Sequence, residues 1–88
     1  MVRITDRNDW FDLWFTDKTN MVNIMNRNMV ADIEAGYDPM GSTIRREREE
    51  IASYKAMFDA DMDAFKVLSD KEVNRWCFYD MKKRGVIE

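Results

Sequence analysis

The sequence predicts an all-α fold: a small helical domain of three main helices with a short aromatic helix ahead of them. Three observations carry that expectation. Breakers are scarce, with three Gly and one Pro in 88 residues, while Met, Ala, Glu, Lys and Arg favour helix over strand. Apolar residues recur at helical spacing, most plainly Ile44, Ile51, Phe58 and Phe65 at intervals of seven. Ser69-Asp70-Lys71-Glu72 has the form of a capping box. There a Ser hydroxyl accepts from the amide three residues on, and the Glu carboxylate accepts from the Ser amide.

Taken in order, residues 1–5 form a short lead-in that the pattern leaves unassigned. Residues 6–15 read as the short helix, capped by Thr5 or Asp6, with Trp10/Trp14 and Phe11/Phe15 as i, i+4 pairs. A helix so short and so aromatic cannot stand alone in water, so it must lie against the rest of the chain or a partner. Thr16–Asn20 reads as a polar connector ending in good capping residues. A helix over 21–35 follows, with Met21, Val22, Met25, Met29 and Ile33 on one face and Gly36 just past its end. Tyr37–Gly41 is a turn, with Pro39 barring continuation. The longest helix spans 43–68, and the last spans 70–84 with Val73, Trp76, Cys77 and Met81 inward and Gly85 as its terminator.

The bulk composition narrows the functions. At 45% hydrophobic and 35% charged, the chain has enough apolar material to fold, and residues 1–88 read as one domain. A single cysteine allows no internal disulfide, and no stretch has the length of a signal or membrane segment. The expected compartment is the cytoplasm. Histidine is absent, which removes the commonest general base and metal ligand. Cys77 sits mid-helix with nothing to activate it, and Gly36, Gly41 and Gly85 make no phosphate-cradling loop. Asp59, Asp61 and Asp63 alternate like the start of a calcium loop, but Ala64 replaces the required Gly and Asp70 the required Glu. No enzyme activity, cofactor or metal is expected.

Binding is the remaining class. Trp10, Trp14, Phe15, Phe78 and Tyr79 are the candidate protein-binding residues, because large rings are enriched at interface centres and eight methionines add an adaptable surface. The competing expectation is that the first and last helices bury these rings together, leaving an exposed remainder such as Trp14 or Tyr79. A nucleic-acid alternative rests on Arg75, Lys82, Lys83 and Arg84 of the last helix. Against it stand Asp70 and Glu72 at that helix's start and a net charge of −3. A minor possibility is the acidic edge formed by Asp6, Asp9, Asp12 and Asp17, joined by Asp59, Asp61 and Asp63 if the long helix folds alongside. A third reading is a homodimer through Ile44, Ile51, Phe58 and Phe65 as a coiled-coil-like seam. The favoured expectation is a non-catalytic protein-binding module, an inhibitor or adaptor of the phage or mobile-element type that acts by occupying a partner's surface.

Overall fold

The computed structural model describes residues 3–88; Met1 and Val2 of the lead-in lie outside the described residues. A 3-10 turn, Ile4–Asp6, precedes three helices: α1 (Trp10–Glu34), α2 (Ser42–Phe65) and α3 (Asp70–Lys83). Among the described residues there is no strand. The all-α expectation is met, and so are the helices over 43–68 and 70–84, to within a few residues at their ends.

The first half differs from expectation in its start and in its continuity: the helix expected over 6–15 begins only at Trp10, after the 3-10 turn. The aromatic segment and the helix over 21–35 are a single α1, and the expected connector Thr16–Asn20 is part of it. Capping residues are only weakly averse to helix, and here tertiary contacts outweigh that preference. Asp17 accepts from Arg84 at 3.1 Å, and Lys18 is buried with its ammonium 5.0 Å from the Tyr54 ring and 5.8 Å from the Trp14 ring. Neither Thr5 nor Asp6 caps α1. Asp9 holds the N-cap position but gives its carboxylate to Arg7. The free amide of Trp10 is satisfied from across the fold, donating to Asn74 Oδ1 at 2.8 Å.

The other ends follow the expected chemistry. At Ser69 the capping box is complete: Oγ accepts from the Glu72 amide at 3.2 Å, and the Glu72 carboxylate accepts from the Ser69 amide at 3.3 Å. Gly36 and Gly85 both take positive φ, at 111° and 76°, and each closes its helix with two reversed bonds. Gly36 and Tyr37 donate to the carbonyls of Ile33 and Asp32, and Gly85 and Val86 to those of Lys82 and Met81.

By rise per residue α1 and α2 are about 37 and 36 Å long, and α3 only about 21 Å. The long pair forms an antiparallel hairpin, and α3 packs mainly on α1 at its open end. There the core gathers Trp10, Trp14, Phe65, Cys77, Phe78 and Met81. Ile44 and Ile51, also buried, belong to the arm that runs on beyond α3. The result is elongated, 48 × 29 × 17 Å with a radius of gyration of 16.1 Å, against ~12 Å for a compact chain of this length.

Candidate functional site

Long-range bonds fix how α3 is rotated, and that rotation decides which of its side chains meet solvent. The indole Nε1 of Trp14 donates to Asp80 Oδ2 at 2.9 Å. Arg84 donates to the same oxygen at 3.0 Å and to Asp17 at 3.1 Å. Together with the Trp10–Asn74 bond these hold Cys77, Phe78 and Met81 inward. At ~100° per residue, the opposite face then carries Glu72, Tyr79 and Lys83, with Trp76 along one margin and Arg75 along the other, while Lys71 and Lys82 lie round toward Phe78.

Trp76 and Tyr79 are 37% and 57% exposed. The inner edge of Trp76 is held edge-on by Phe65 at 4.9 Å and Trp14 at 5.8 Å, so the ring is rigid while its outer edge stays wet. Beside it lies an open groove of about 530 Å³, with Leu68, Trp76 and Tyr79 as its apolar lining and Arg75 and Lys83 as its cations. Among the described residues, Lys71, Arg75, Lys82 and Lys83 enter no ion pair. The groove's carboxylates are engaged elsewhere: Glu72 in the capping box, which holds its pKa below the usual glutamate range, and Asp80 with Trp14 and Arg84. The face is thus apolar, with Arg75 and Lys83 outnumbering the ionised Glu72 once Asp80 is paired with Arg84.

The candidate residues read from the sequence do not form one patch. Trp10, Trp14 and Phe78 are buried, at 1%, 0% and 3% exposure, and make the core instead of a contact surface. Trp14 is therefore not the exposed remainder; Tyr79 is. Phe15 is 41% exposed but belongs to another side of the molecule, against Phe58 at 5.5 Å. Of the four basic candidates, Arg75, Lys82 and Lys83 face out, whereas Arg84 turns in to Asp17 and Asp80. Lys82 spans the Phe78 ring at 5.6 Å. Trp76, expected inward, is at the margin. Leu68 was absent from the candidate set; it reaches the groove from the connection ahead of α3, which no periodicity within α3 could reveal.

Other chemistry-bearing groups are accounted for locally. Cys77 is wholly buried, and burial pushes its thiol up to about 12, so it stays protonated and unreactive at neutral pH. Among the described residues no three acidic, Cys or His groups gather as a metal set. Partial burial raises the pKa of Asp61 despite the opposing charge of Lys18. Nor is any helix of the described residues long and apolar enough to cross a membrane. No protein-family model, no curated protein and no solved structure matches the chain.

Proposed function

We propose that this chain is a non-catalytic protein-binding module that docks a partner on the outer face of α3, acting in the cytoplasm as an inhibitor or adaptor by occupying that partner's surface. The observation that carries the reading is the wet edge of Trp76 beside Tyr79, Leu68 and unpaired Arg75. A pre-fixed ring flanked by Tyr and Arg is the composition of an interface centre, where truncating a few residues removes most of the affinity. Because the open charges are positive, the partner surface is apolar and acidic.

The nucleic-acid alternative has one specific observation in its favour, four exposed cations without ion pairs on α3, Lys71, Arg75, Lys82 and Lys83. Salt separates the two readings. An apolar interface keeps most of its affinity between about 50 and 200 mM salt, whereas phosphate contacts lose a large factor for every counterion released. The test is affinity capture with quantitative mass spectrometry, comparing the native chain with Tyr79→Ala and Arg75→Glu, alongside titration of fluorescent duplex DNA. The expected result is a protein retained at the higher salt by the native chain and lost by both variants, with DNA binding weak. A DNA affinity abolished by Arg75→Glu and falling steeply with salt would replace this reading with the other.

A further inference from the structure

A second surface, independent of the α3 outer face, lies where the start of α1, the end of α2 and the start of α3 converge. It is an open cleft of about 470 Å³. Phe11, Met62, Phe65 and Val73 floor it, and Asp12 and Asp70 stand on its rim. Its remaining charges cancel locally: Asp9 is held by Arg7 at 2.8 Å, and Lys66 by Asp63 at 2.8 Å. Asp12 and Asp70 enter no ion pair among the described residues. The floor continues along α1, where the Phe15 ring sits 5.9 Å from Phe11 and is 41% exposed. This is an apolar strip more than one helical turn long, edged by open negative charge.

We infer that this cleft receives a basic amphipathic protein segment: apolar side chains about one turn apart on the Phe11–Phe15 floor, with Lys or Arg beside them facing Asp12 and Asp70. Charge complementarity selects that occupant. Phosphate-bearing ligands and anionic lipid surfaces meet like charge at the rim. A small molecule filling the cleft would leave the Phe15 end of the strip uncovered, whereas a helical or extended segment covers both ends. With the α3 face, the chain would then offer two docking surfaces of opposite sign, the arrangement an adaptor needs.

The probe is a fluorescent 14-residue helical peptide of leucine and lysine, its twin with Glu at every Lys position, and amide NMR mapping on the full chain. The expected result is binding of the basic peptide only, with resonance shifts at Phe11, Asp12, Phe15 and Val73. The double change Asp12→Asn with Asp70→Asn should weaken it about fivefold, the loss of two exposed charge pairs. Phe15→Ser should weaken it further, and Tyr79→Ala should leave it unchanged. Equal binding of the acidic twin, shifts centred on Tyr79, or no binding by either peptide would overturn the inference. Loss of α3-face capture leaves this test untouched, so the two proposals fail separately.

Discussion

Two rings of similar size have opposite roles here, and only their surroundings separate them. Trp14 is fully buried, touches the rings of Phe58, Phe65 and Trp76 edge-on at 5.1–5.8 Å, and spends its indole N–H on Asp80. Trp14→Ala is therefore expected to cost about 3–5 kcal/mol by denaturant unfolding, a large share of a small domain's stability. Tyr79→Ala, at a mostly wet ring, should change stability by no more than about 0.5 kcal/mol. A second residue-scale prediction concerns Glu47. A hydrogen bond with the Asp32 carboxyl, with partial burial and the charges of Asp32 and Glu50, holds its pKa above the usual glutamate range. One of its oxygens is buried without a partner. The folded chain thus binds that proton more tightly than the unfolded one. The resulting advantage is fully present below the unfolded pKa and is lost as pH rises through the raised folded value. Glu47→Gln should accordingly raise the denaturation midpoint at about pH 7 and leave it unchanged at about pH 3, where both side chains are neutral. A lower midpoint at neutral pH would contradict this.

At the scale of the elements, what the sequence disclosed was whatever is decided locally. The Ser69–Glu72 box and the glycine endings at Gly36 and Gly85 follow from residue type and spacing within one turn, and all are formed. Thr16–Asn20 looked like a break because threonine and asparagine favour caps. Its helical state depends on Arg84 and Tyr54, which lie far along the chain. A phase argument was nevertheless available. Trp10, Trp14, Lys18, Met21 and Met25 are spaced by three or four, so the aromatic and methionine stripes are in register through the supposed connector. The exposed side chain of Asn20 makes it a clean probe of the backbone. In a helix interior Asn20→Pro should cost about 3 kcal/mol or more in thermal or chemical unfolding, whereas in a connector it would be nearly silent. The site was less legible than the helices. Which rings of α3 stay wet is set by its rotation, and that rests on bonds from Trp14 to Asp80 and from Trp10 to Asn74, which span 66 and 64 residues of chain.

For the molecule as a whole, the seven-residue seam offered by the sequence to a second copy is occupied within the chain. Ile44, Ile51 and Phe65 are buried, and Phe58 packs on Trp14 and Phe15. Sedimentation velocity should return a monomer with the high friction of an elongated body; a dimer growing in with concentration would revive the homodimer reading. The burial pattern has one further global consequence: three tryptophans divide into two that hold the fold and one left partly wet at the proposed docking face. That division is read most directly by the solvent access of each indole, measured residue by residue from photochemically induced nuclear polarisation. Trp76 should respond strongly, and Trp10 and Trp14, at 1% and 0% exposure, should stay silent. A response from Trp14 matching that of Trp76 would contradict the account.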